Sequence, residues 1–108
     1  MNKMHHILIE CVAAQAEILK ILDTNEIDAV LSVHVSASGP GKYIIFRNYE
    51  VVATLFTNYK NLQAEYDIPF PIRYKADDIG IKFISMERLA MNMYATVQTY
   101  TEPRLVLK

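Results

Sequence analysis

The stretch SVHVSASGPGKYIIFRN, from Ser32 to Asn48, constrains the fold more than any other part of the sequence. Apolar and polar residues alternate over 31–38, which is the pattern of a β-strand with one buried face. A second apolar run, YIIFR, follows the four residues Gly39-Pro40-Gly41-Lys42. Because glycine tolerates the positive φ of tight turns, we expect the two runs to pair as a β-hairpin.

The same four residues do not predict a phosphate-binding loop. Such a loop joins a strand to the N-terminus of a helix, whose backbone N–H groups hold the anion. Here a second strand begins at Tyr43. We therefore interpret the glycine-rich corner as a bend, with the valine side of the first strand shielded by helices and the serine and histidine side facing outward.

Three segments are predicted to be helices, because their apolar residues recur at three- and four-residue steps. They are 5–22, 49–66 and 86–100. Asn48 and Ser85 precede the second and third of them and are typical helix N-caps. Cys11 falls within the apolar pattern of the first helix and is expected to be buried.

The segments PIRYK and IGIKFIS are predicted to form a second hairpin across 76–78, with Asp77 and Asp78 solvated at its tip. RLVLK, at 104–108, is an optional last strand. The predicted order is α-β-β-α-β-β-α(-β), an α+β fold in which one antiparallel sheet packs against helices. The length of 108 residues suits a single compact domain over 1–108.

Composition narrows the classes of partner. A net charge of −1 lacks the basic excess of a nucleic-acid-binding protein, so we expect no nucleic-acid partner. No apolar run reaches the length of a membrane span, so we expect no membrane partner. A single cysteine cannot form an intramolecular disulfide, which favours the cytoplasm of a cell or of an infected host.

No motif in the sequence predicts catalysis or a cofactor. The histidines, Cys11 and the acids match no standard zinc or calcium spacing, and no Gly-x-Ser-x-Gly turn occurs. We therefore predict that the protein is not an enzyme, has no catalytic residues and holds no metal or cofactor.

The leading functional interpretation is a non-catalytic protein–protein interaction module. It would be a small cytoplasmic adaptor, inhibitor or accessory factor of the kind that viruses and mobile elements also encode, acting as a homodimer. Edge strands and helices rich in Tyr and Met are routes to such pairing. The predicted partner-binding residues are His34, Tyr43, Arg47, Met93 and Tyr94.

The alternative interpretation is a regulatory domain that binds a small ligand or nucleotide. Basic and aromatic residues between the two hairpins would line an anion site, since arginine holds phosphate through its fork of donors. The predicted ligand-binding residues are Lys42, Tyr43, Arg47, Arg73 and Lys75.

Overall fold

The computed structural model describes residues 2–22, 27–72 and 77–101, and this part of the chain forms strands and no helix. Within these described residues, no helix could cross a membrane. The predicted α+β class is therefore wrong, because the described parts of 5–22, 49–66 and 86–100 are strands and turns. The strands are β1 (Asn2–Val12), β2 (Glu17–Leu22), β3 (Ala29–Ala37), β4 (Gly41–Arg47), β5 (Glu50–Thr57), β6 (Gln63–Tyr66), β7 (Phe70–Pro71), β8 (Ile79–Ser85) and β9 (Met91–Thr101).

The strands form two antiparallel sheets. Sheet 1 has the order β1-β9-β3-β6, with β7 also paired to β3, and sheet 2 has the order β2-β8-β4-β5. The pairs β1 with β9, β2 with β8, β3 with β6 and β7, and β4 with β5 make one long two-stranded ribbon, which folds over into two layers. This is the arrangement of a jelly roll.

The predicted hairpins are also wrong, although most of their strands exist. β3 lies in sheet 1 and β4 in sheet 2, so the glycine-rich corner carries the chain from one sheet to the other. No described glycine has a positive φ. In the second predicted hairpin, β7 pairs with β3, whereas β8 pairs with β2 and β4. Residues 73–76 and the optional last strand at 104–108 lie outside the described residues.

The core lies between the two sheets. Along β3 the valines point inward as the alternation predicts, but they are shielded by sheet 2 and not by helices. Val33 and Val35 from sheet 1 and Tyr43 and Phe83 from sheet 2 are each at most 1 % exposed. The rings of Tyr43 and Phe83 meet edge to face, with centroids 5.6 Å apart.

Two turns interrupt the segments that were predicted to be long helices. At 13–16, AAQA would suit a helix, but Gln15 adopts a φ of 55° and the amide of Ala16 donates to the carbonyl of Ala13 at 3.0 Å. Between β5 and β6, the side-chain oxygen of Asn58 accepts hydrogen bonds from the amides of Lys60 and Asn61. An asparagine that bonds its own backbone in this way favours a turn over a helix.

The hydroxyl of Tyr43 links the two sheets, and its ionisation at alkaline pH should lower the free energy of unfolding. It donates to the carbonyl of Ser36 on β3 at 2.7 Å, and burial raises the pKa of Tyr43 to about 12. The pKa in the folded state lies above the unfolded value of about 10. The contribution of the neutral hydroxyl to the free energy of unfolding is therefore fully present below pH 10 and is lost between about pH 10 and 12.

We therefore predict that the wild type loses about 1 kcal/mol more unfolding free energy between pH 9 and 11 than Tyr43→Phe does. The measurement is urea unfolding of both proteins at the two pH values. The phenylalanine keeps the ring in the core, so the comparison isolates the hydroxyl. Equal losses in the two proteins would contradict this assignment.

Candidate functional site

An ion pair holds Arg47 at one end of the sandwich. Its Nε and Nη2 lie 3.1 and 2.9 Å from Oδ2 of Asp77, whose side chain is fully buried. The side-chain amide of Asn48 donates to the other carboxylate oxygen at 3.0 Å. Asn48 also forms two hydrogen bonds with the backbone of Asp78. The backbone amide of Asn48 donates to the Asp78 carbonyl, and Oδ1 of Asn48 accepts from the backbone amide of Asp78. The predicted solvation of Asp77 is therefore wrong, because this carboxylate anchors the β4–β5 turn.

The residues predicted for a ligand site do not converge. Tyr43 is buried in the core, and Arg47 is engaged with Asp77. Lys42 lies on the opposite face of β4 from both of them, because neighbouring residues of a strand point to opposite faces. Arg73 and Lys75 lie outside the described residues. The described part of the chain thus supplies no basic cluster between hairpins.

The residues predicted to contact a partner divide into three groups. Met93 and Tyr43 have no exposed surface, so neither offers an accessible atom to a partner in this structure. His34 and Tyr94 lie close together on the outer face of sheet 1, where His34 pairs with Thr96 and Tyr94 pairs with Ser36. Arg47, whose side chain is 31 % exposed, is held in the ion pair with Asp77.

The outer face of sheet 1 is mostly polar. Nε2 of His34 lies 3.1 Å from the side-chain oxygen of Gln63 and 4.0 Å from Glu65. The exception is a group of exposed apolar side chains on and beside the edge strand β1, namely Ile7, Ile9 and Tyr94. Other outward side chains of this sheet include Ser32, Ser36, Asn92, Thr96 and Gln98.

The outer face of sheet 2 has the opposite character. On β4, Ile44 and Phe46 point outward between the buried Tyr43 and Ile45, so the strand is apolar on both faces. The neighbouring strands add outward apolar side chains in the same rows. We call this surface the apolar face, and it consists of Leu19, Ile21, Ile44, Phe46, Val51, Phe56 and Ile84.

A groove of about 330 Å³ runs along the apolar face. Its floor is Gly80, and its walls include Ile21 and Leu19 on one side and Phe46 on the other. A Cβ at Gly80 would lie 3.1 Å from Cδ1 of Ile21 and 3.2 Å from Cδ1 of Leu19. The absence of a side chain at Gly80 therefore lets Ile21 and Leu19 pack closely over β8. Tyr49, which is 98 % exposed, also lines the groove.

Two lysines lie over the aromatic rings of the apolar face. The Nζ atoms of Lys42 and Lys82 are each 5.8 Å from a ring centroid, that of Phe56 and that of Phe46 respectively. Nζ of Lys82 is also 3.7 Å from Glu17. Such cation–π contacts place two positive charges beside the rings of the apolar face, and Glu17 adds a negative charge on the same side of the sheet.

The described residues contain no group of three or more His, Cys, Asp and Glu side chains that could hold a metal ion. Cys11 is exposed, so the prediction that it is buried is wrong. It points outward from β1, opposite Asn92 on β9.

Comparisons with known proteins add no function. No protein-family model matches the sequence, and a search of curated proteins found no relative. Among solved structures, the chain is similar to the crystal structure of dimeric latent PorU from Porphyromonas gingivalis, with a TM-score of 0.46 and 8 % sequence identity. The match covers 94 % of this chain and 13 % of the PorU chain, and at this similarity it bears on neither fold nor function.

We predict that Arg47 stabilises the fold, whereas Lys42 contributes little to it. Replacing Arg47 with Met removes the cation that lies 2.9 Å from the buried Asp77 carboxylate and should cost about 3 kcal/mol of unfolding free energy. The control Lys42→Met removes an outward-facing charge on the same strand and should change stability by less than about 0.5 kcal/mol. Urea unfolding measures both, and similar costs for the two variants would show that Arg47 has no such structural role.

Proposed function

We propose that this domain is a non-catalytic protein–protein interaction module, and that a protein partner covers its apolar face. The observation that carries the proposal is the two-sided apolar character of β4, where Tyr43 and Ile45 point into the core and Ile44 and Phe46 point away from it. Strands that are apolar on both sides are typical of sheets covered on both faces, whereas a sheet facing water alternates.

The contrast between the two sheets supports this choice of surface. Both sheets bury their inner faces in the same core, and only sheet 1 shows the polar outer face that water favours. On sheet 2, Leu19, Ile21 and Phe56 are each more than half exposed. Contiguous apolar patches of this kind mark interaction sites on soluble proteins.

The interpretation as a ligand-binding regulatory domain has less support. It requires Lys42 and Arg47 to act together, but the two residues lie on opposite faces of β4 and Arg47 is held by Asp77. The proposed function therefore keeps the leading interpretation of the sequence and moves its contact surface to sheet 2.

Capture from an extract of the native source tests the proposal with matched baits. The wild type is compared with the double variant Ile44→Thr/Phe46→Thr, which makes the apolar face polar without breaking a strand. The control is Tyr94→Thr, which replaces an aromatic residue at the equivalent place, the outer face of a central strand of sheet 1.

We expect the double variant to capture at least about tenfold less of the partner protein than the wild type does, and Tyr94→Thr to capture as much as the wild type. Thermal unfolding first confirms that all three baits are folded. If the double variant captures as much as the wild type, or if only Tyr94→Thr loses the captured protein, the apolar face is not the contact surface.

A further inference from the structure

We propose that one end of the sandwich docks on an anionic lipid surface. The docking surface consists of the turn at 58–62 and the loop at 86–90, and we call it the loop end. It is separate from the apolar face, so the inference goes beyond the proposed function and does not depend on it. Docking in the headgroup region needs no apolar run long enough to span a bilayer, which was the ground for expecting no membrane partner.

Strand register places four loops at the same end of the sandwich. Gly41 pairs with both Thr57 and Ser85, and Met91 pairs with Val12. The segments that adjoin these residues therefore lie near one another, and they are 13–16, 38–40, 58–62 and 86–90.

Gly39 brings the two parts of the loop end together. A Cβ at Gly39 would lie 3.1 Å from Oε2 of Glu87 and 3.5 Å from Cε1 of Tyr59. The neighbouring carbonyl of Pro40 accepts a hydrogen bond from the amide of Met86 at 3.1 Å. The turn and the loop thus meet at the same backbone segment and form one surface.

The loop end exposes large apolar side chains to solvent. Leu89 is 76 % exposed, Tyr59 69 %, Met86 54 % and Leu62 40 %. Two of them come from the turn and two from the loop. Side chains of these types enter the boundary between headgroups and acyl chains favourably, with a tyrosine ring at headgroup level.

Hydrogen bonds fix the backbone that presents these side chains. In the turn, Oδ1 of Asn58 accepts from the amides of Lys60 and Asn61 at 2.8 and 2.9 Å. In the loop, Oγ of Ser85 accepts from the amide of Glu87 at 3.3 Å. Because both segments are ordered before contact, docking costs less conformational entropy than the docking of a disordered segment.

The charges of the loop end favour an anionic surface. Lys60 and Arg88 are both exposed, whereas Glu87, the one acid of the four loops, is partly buried and accepts a hydrogen bond from the amide of Arg88 at 2.8 Å. At the opposite end, the described loop residues include Asp28 and Asp78. An anionic surface would attract the loop end and repel the other, so the protein should approach with the loop end first.

The mixture of apolar and basic residues distinguishes a lipid surface from a protein partner. In each part of the loop end, one base lies between two exposed apolar residues, Lys60 in the turn and Arg88 in the loop. The core of a protein interface is depleted of lysine, because the charge would have to be desolvated. At a bilayer, the charged groups stay among the lipid phosphates while the neighbouring apolar side chains enter the boundary below them.

Co-sedimentation of the full chain with lipid vesicles tests the inference. Vesicles of phosphatidylcholine alone are compared with vesicles that also contain about 30 % phosphatidylserine. We expect the wild type to bind the anionic vesicles at least about tenfold more tightly, because two bases approach the surface. Raising the salt concentration from about 0.1 to 0.5 M should release the protein.

Matched variants locate the contact. Tyr59→Ser/Leu89→Ser removes one apolar side chain from each part of the loop end and should weaken binding at least about tenfold. Lys60→Gln and Arg88→Gln should each weaken binding to the anionic vesicles about fivefold. The control is Tyr49→Ser, which removes a tyrosine that is 98 % exposed in the turn at the opposite end and should leave binding unchanged. Thermal unfolding confirms that each variant is folded.

Three results would overturn the inference. A wild type that stays in the supernatant with both kinds of vesicle shows that the loop end has no lipid partner, and the capture experiment on the apolar face is unaffected by that result. Equal binding to both kinds shows that the two bases do not select the lipid. Binding that survives Tyr59→Ser/Leu89→Ser but is lost in Ile44→Thr/Phe46→Thr shows that lipid contacts the apolar face instead.

Discussion

A single sandwich can bury only one face of each sheet, and this constraint governs the structure. Sheet 1 satisfies it, because the valines, alanines and methionines of β3 and β9 mostly point inward and most outward residues of these strands are polar. Sheet 2 does not, because Ile44 and Phe46 of β4 and five apolar side chains of the neighbouring strands point outward. The two sheets thus share one core, while the outer surface of sheet 2 is more apolar than that of sheet 1.

The predicted helices show how a four-residue spacing can mislead. Met93 and Val97 share a face in a helix, but they also share a face in a strand, because four is a multiple of two. The residue that distinguishes the two periods is Ala95, which lies on the same buried face. The burial of residues 91–101 alternates throughout, and their three Thr, two Tyr and one Val favour a strand, so β9 was predictable.

Other features were harder to predict. The alternation around His34 correctly gave β3 its buried and exposed faces, but the glycine-rich corner could not show that β4 joins another sheet. Among the site residues, Asp77 looked like a solvated turn residue until the fold placed Arg47 beside it. The apolar face was missed because its residues come from separate strands, and only the register of β2, β8, β4 and β5 places them together.

Hydroxyl-radical footprinting of the assembled protein tests most directly whether the apolar face is covered. Phe56 is 53 % exposed and Tyr59, in the turn after β5, is 69 % exposed, so both should be oxidised readily in the isolated chain. In the assembly, this account predicts that Phe46 and Phe56 become strongly protected while Tyr59 does not. Oxidation of Phe56 at the same rate in the assembly as in the isolated chain would contradict it.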